Sequence, residues 1–163
     1  SYGTVTINGG YITQTNGQPG VRIERKLGSF TINGGVIDVP GNYGIYNSAI
    51  ARFYIYGGTI YDRGLNGALK LEGETRVELE GVVRILGKGI VVGDTTIDPI
   101  FRYYNLEPGS EIWISTEKAG DVTFCTTHSK NKYLHAYGDD RVILHNDNKG
   151  ILHKDEAGKR ERR

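Results

Sequence analysis

Tyr11, Tyr46, Tyr54, Tyr56 and Tyr61 each sit next to an apolar residue in a short stretch of alternating character, and Arg52, Asp62 and Arg63 stand among them. Phe53, Ile55 and Ile60 take the buried positions of those stretches, so the tyrosines between them are expected to point outward. Phenol rings held on a rigid sheet offer an apolar face to a sugar ring and a hydroxyl to its edge. Arg52, Asp62 and Arg63 would flank that surface and hydrogen-bond a glycan. A plainer reading covers the same residues: tyrosine suits a half-exposed strand, and stacked aromatic side chains staple neighbouring strands.

Other chemistry-bearing residues are fewer. Asp38 and Asp62 are the one carboxylate pair expected at nearby outward positions of successive rungs, about 5 Å apart in Cα, and such a site lacks an obvious third partner. Asp139, Asp140, Asp147 and Asn148 could ligate calcium, the one cofactor the sequence leaves open, but no complete acidic calcium loop is present and such residues also make ordinary turns. His135, His145 and His153 punctuate three successive strands, and a two- or three-histidine metal site follows only if His145 pairs with His153. Cys125 is the single cysteine, which rules out an intramolecular disulfide; with His128 three residues on, it reads as an inert thiol rather than a nucleophile.

These residues have to be positioned by a repeat. Thr-Ile-Asn-Gly-Gly-x-Ile occupies residues 6–12 and, with Val in the variable place, residues 31–37; residues 54–60 carry a worn copy and Leu79, Glu80 and Gly81 a fainter one. Within each copy apolar residues alternate with polar ones, Val5 and Ile7, Phe30 and Ile32, Phe53 and Ile55, which is the period of strands buried on one side. The glycine pair marks a sharp corner, and Ile12, Ile37 and Ile60 resume the buried side beyond it. Asn8 and Asn33 share that corner and are expected to stack as an amide ladder, with Tyr56 and Glu80 interrupting it later. A second buried stretch recurs at Val21 and Ile23, at Ile45, and at Leu69 and Leu71. Rungs of about 23–25 residues with two or three short strands predict an all-β parallel β-helix, or β-solenoid, because a lone rung cannot bury its apolar side. The helical repeat families are excluded by the absence of helical periodicity.

Residues 1–98 are expected to be these rungs. Residues 99–153 break the spacing and read as irregular final rungs or an antiparallel β cap, and residues 154–163 as a disordered charged tail. Ser1 stands where an initiator methionine would, so the segment is expected to be a mature or trimmed piece of a longer protein. A formal net charge of +1, with no basic stripe among the aromatics, gives no electrostatic case for nucleic acid. No stretch approaches the roughly 18 apolar residues of a membrane span.

Gly28-Ser-Phe-Thr-Ile-Asn-Gly-Gly-Val-Ile37, then Gly44-Ile-Tyr-Asn-Ser48, then Phe53-Tyr-Ile-Tyr-Gly-Gly-Thr-Ile60 resembles the surface repeats of secreted bacterial proteins, and residues 71–93 look like a closing rung. The resemblance covers residues 3–98 and implies a right-handed parallel β-helix outside the cell or on its surface. Members are pectate-lyase-like β-helices of cell envelopes, adhesins or polysaccharide-binding domains, some with calcium. It carries over no catalytic residue.

Three functions follow as expectations. The leading one is a non-catalytic extracellular module, binding polysaccharide or a cell-envelope glycan or serving as an adhesive stalk. Self-association through the rung ends into a head-to-tail fibre is the second. A polysaccharide lyase or hydrolase fragment is the third.

Overall fold

The computed structural model describes residues 3–49, 51–64, 66–72, 75–93, 100–117, 121–125, 133–137, 141–144 and 149–153. Its strands stack in parallel as a β-solenoid of about four turns, not a barrel. One face is a five-stranded sheet of β1 (Thr4–Ile7), β4 (Ser29–Ile32), β7 (Ala51–Ile55), β10 (Thr75–Gly81) and β12 (Ile100–Leu106). A second face stacks β2 (Tyr11–Ile12), β5 (Val36–Asp38) and β8 (Gly58–Tyr61); a third stacks β3 (Val21–Ile23), β6 (Ile45–Asn47) and β9 (Leu69–Leu71). The long strand β11 (Val83–Val92) joins them, pairing β8 through its first half and β9 through its second.

The repeat fixes the register. Phe30 pairs with Phe53 and Ile32 with Ile55, so identical apolar types stack rung on rung, with the two phenyl centroids 5.5 Å apart. Ile12, Ile37, Ile60, Ile85 and Ile112 form the matching column on the second face, and Ile45, Leu69, Ile90 and Ile114 the column on the third. Together these columns are one continuous core. At the corner Asn33 donates its side-chain amide to Asn8 at 2.9 Å, the expected ladder. Gly35 next to it has φ 95°, and a Cβ there would lie 2.8 Å from the Gly10 carbonyl oxygen, so both the turn and the rung spacing demand glycine.

From residue 100 onward both parallel and antiparallel strands occur. β12 continues the first sheet, and β13 (Glu111–Thr116) and β15 (Leu134–Ala136) add parallel strands to β11. β14 (Asp121–Cys125), β17 (Lys149–His153) and β16 (Arg141–Leu144) form a separate antiparallel sheet lying against β12, β13 and β15. Its register pairs Arg141 with His153 and Leu144 with Gly150. His135 belongs to the parallel stack, where its ring lies 4.9 Å from that of Trp113. The register partners of His153 are thus Asp121 and Arg141. His145, His128, the calcium candidates Asp139, Asp140, Asp147 and Asn148, and the tail at 154–163 lie outside the described residues.

Candidate functional site

The candidate tyrosines are divided among three faces. On β7 the burial alternates, with Ala51, Phe53 and Ile55 inside and Arg52, Tyr54 and Tyr56 on the outer side. Tyr56 is 41% exposed, and its ring centroid is 6.1 Å from that of Tyr54. In the next rung Arg76 follows Arg52 and Glu78 follows Tyr54, while Glu80 is exposed beyond them. The result is a patch of two rings tilted 35° to each other, with Arg52 and Arg76 before them along the strands and Glu78 and Glu80 in the next rung. Burial, with the charges of Glu78 and then Glu80 near it, raises the pKa of Tyr56 above the ordinary phenol value.

The second face holds Tyr11, Tyr61 and Arg63 around a residue offered earlier only as half of a catalytic pair. Asp38 accepts the Tyr11 hydroxyl at 3.2 Å and the Arg63 Nε on both carboxylate oxygens, at 2.9 and 3.0 Å. The guanidinium lies 4.5 Å from the centre of the Tyr61 ring, a cation–π contact. Tyr11 is the most exposed of the five tyrosines, at 62%.

Asp62 does not flank a binding surface. It is 6% exposed, and its oxygens accept the backbone N–H groups of Asn66 at 3.0 Å and Lys88 at 2.9 Å. The expected Asp38–Asp62 pair fails for the same reason: Tyr61 is the register partner of Asp38, so Asp62 falls one residue past it and turns inward to hold the loop. Asp62→Ala should lower stability by about 2–3 kcal/mol, since two N–H groups lose a charged acceptor. Thermal unfolding should show that loss.

Tyr46, on the third face, is held in a network that sequence reasoning missed. Its hydroxyl hydrogen-bonds Glu72, Arg22 lies 5.3 Å from its ring centre, and Tyr43 packs beside it at 5.7 Å. Lys70, its register partner, is 2% exposed, paired with Glu117 and with Glu72 at 3.9 Å, and lies 5.8 Å from the Tyr43 ring centre. The outward place of Lys70 between Leu69 and Leu71 was a signal, but its acidic partners come from two other positions along the chain. Opposite charges that saturate one another serve packing more than ligand capture.

Tyr46, Tyr11 and Tyr56 all titrate above 10.0. The Glu72 hydrogen bond leads for Tyr46, and partial desolvation leads for the other two. Because the folded state holds these protons more tightly, their contribution is complete below the unfolded value near 10 and is lost as pH rises through the folded values. The unfolding temperature should therefore fall above about pH 10, and Tyr46→Phe should reduce that dependence in a pH series of melts.

Among the described residues no group of three or more His, Cys, Asp or Glu is placed to hold a metal ion, and no helix is long and apolar enough to cross a membrane. Comparison of the chain with protein-family models, with curated proteins and with solved structures finds no match.

Proposed function

We propose that this chain is a non-catalytic carbohydrate-binding module of the cell exterior, an adhesive or stalk-like solenoid that engages polysaccharide through its outward side chains. The observation that carries the reading is the Tyr54–Tyr56 pair, two half-exposed rings 6.1 Å apart on a strand whose other side is locked in the core. A pre-ordered aromatic platform loses little side-chain entropy on binding, and Arg52 and Arg76 supply donors while Glu78 and Glu80 supply acceptors for sugar hydroxyls. The resemblance of residues 3–98 to secreted surface repeats supports the location.

Affinity electrophoresis through gels containing soluble polysaccharides tests it. The wild-type chain should be retarded by at least one glycan, and Tyr54→Ala with Tyr56→Ala should weaken that retardation about tenfold to thirtyfold, at about 1 kcal/mol per ring. Unretarded migration in every gel would overturn the reading.

The fibre reading has one observation in its favour. Among the described residues β1, β2 and β3 each pair with a single strand, and a recess of about 450 Å³ opens beside them, lined by Val5, Val21, Ile23, Leu27 and Phe30 and by the charged run Arg22 and Glu24 to Lys26. Such an edge is a template for another strand. Light scattering across a concentration series separates the two readings, because only end-to-end association makes particle mass grow with concentration.

A further inference from the structure

The first rung leaves the apolar columns of the solenoid open. Val5 stacks on Phe30, Ile7 on Ile32, Ile12 on Ile37 and Val21 on Ile45. The later member of each pair is buried, yet Val5 is 41% exposed and Ile7, Ile12 and Val21 are only partly covered. Alternation turns Val5 inward, and there it lines the recess beside β1. The backbone is open as well. The Ile7 carbonyl accepts the N–H of Asn33 in the next rung at 2.8 Å, so the adjacent Thr6 directs its own N–H and C=O away from β4, to the edge.

The opposite end is a poor mate for this edge. There the antiparallel sheet of β14, β17 and β16 lies against β12, β13 and β15, and head-to-tail stacking on a first rung would have to displace it. A second first rung meets no such obstacle. We propose that two copies of this chain join first rung to first rung, as a closed two-fold dimer.

A two-fold axis that crosses the solenoid axis through the middle of the β1 face exchanges the other two faces. It lays β1 antiparallel to β1 of the second copy, and β2 antiparallel to β3 of the second copy. With the axis on Thr6, the two Thr6 residues exchange both N–H···O bonds and Val5 covers Ile7 of the second copy. Charge fits this arrangement. The rim cations Arg25 and Lys26 stand at the corner between β3 and β4, which the axis sets over the uncharged corner of Asn8, Gly9 and Gly10. The remaining corner, residues 13–20, meets its own copy and carries no charged residue. On the outer side Arg22 of one copy comes over Tyr11 of the other, so like charges stay apart. The spacing of 25 residues between Asn8 and Asn33 puts a whole rung into the contact, within the roughly 20–30 residues a side of a stable interface. The contact is independent of carbohydrate binding and, being isologous, closes at two copies instead of extending into a fibre.

Analytical ultracentrifugation of the full chain over about 1 μM to 1 mM should show the mass rising to twice that of one chain and stopping there. Thr6→Pro removes the N–H that faces the edge and leaves the bonds between β1 and β4 in place. It should weaken dimerisation about tenfold to hundredfold while the unfolding temperature of the dilute monomer is kept. Val5→Lys puts a charge on the apolar seam and should weaken it similarly, which covers a proline variant that fails to fold. Thr6→Cys combined with Cys125→Ser should be joined into a dimer by a short bis-maleimide, because this docking sets the two Thr6 residues side by side. A chain that is monomeric throughout the range would leave the edge to a strand of another protein and overturn the proposal. Mass that grows past two copies, or a dimer that the Thr6 cysteines do not cross-link, would overturn it equally, and retardation in glycan gels reads carbohydrate binding separately.

Discussion

Phe53→Ala is expected to destabilise the chain by about 3–5 kcal/mol, the cost of removing a fully buried phenyl group and leaving a cavity. Phe53 is among the largest side chains buried completely, stacked on Phe30 in the rung before and register-paired with Val77 in the rung after. No neighbour can collapse into the space without breaking the strand register on both sides. Each rung of a solenoid is held mainly by its neighbours, so the loss should divide the array rather than loosen it evenly. Hydrogen exchange should show protection falling in β4, β7 and β10 ahead of β13. Uniform loss over all strands would mean that the rungs unfold as one unit.

Gly89→Ala is expected to cost more than about 4 kcal/mol and to act at the other end of the stack. Between Ile85 and Ile90 strand β11 bulges, so that its residues 86–89 stand beside the single residue Trp113 of β13. At Gly89 φ is 68°, and a Cβ would collide with the Trp113 carbonyl oxygen. A backbone atom cannot turn aside as a side chain can, so β11 and β13 must part. The single tryptophan reports this directly: its emission should shift to longer wavelength while the far-ultraviolet β signal of the earlier rungs persists. Unchanged emission with an unchanged unfolding temperature would show that the bulge rearranges freely.

The two sites differ in how far the sequence disclosed them. The Phe30–Phe53 column was legible because the strand alternation and the Asn-Gly-Gly corner recur together, and that combination sets register as well as fold. The β11 bulge was not legible, since Leu86-Gly-Lys-Gly89 carries no repeat and only the pairing with β13 reveals the extra residues. For the candidate site, alternation correctly placed Arg52, Tyr54 and Tyr56 on the outer side of one strand. It could not say that Tyr11 and Tyr61 lie around a corner from them, or that Tyr46 lies on a third face, because period two reports inside against outside and is silent on which face. Asp62 was misplaced where alternation ends: beyond Tyr61 the chain leaves the sheet, and satisfying the N–H groups of Asn66 and Lys88 decides the side-chain direction. Asp38 gained its role from Tyr11 and Arg63, Glu72 from Tyr46 and Lys70 from Glu117, partners a rung or more away that no local window contains; only the Lys70–Glu72 contact is local.

The most direct test of the central claim is chemical-shift mapping of the isotopically labelled chain as a retarding glycan is added. Shifts concentrated at Arg52, Tyr54, Tyr56, Arg76 and Glu78 are the predicted result. Shifts confined to the third face around Tyr43, Tyr46 and Lys70, or none at saturating glycan, would contradict it.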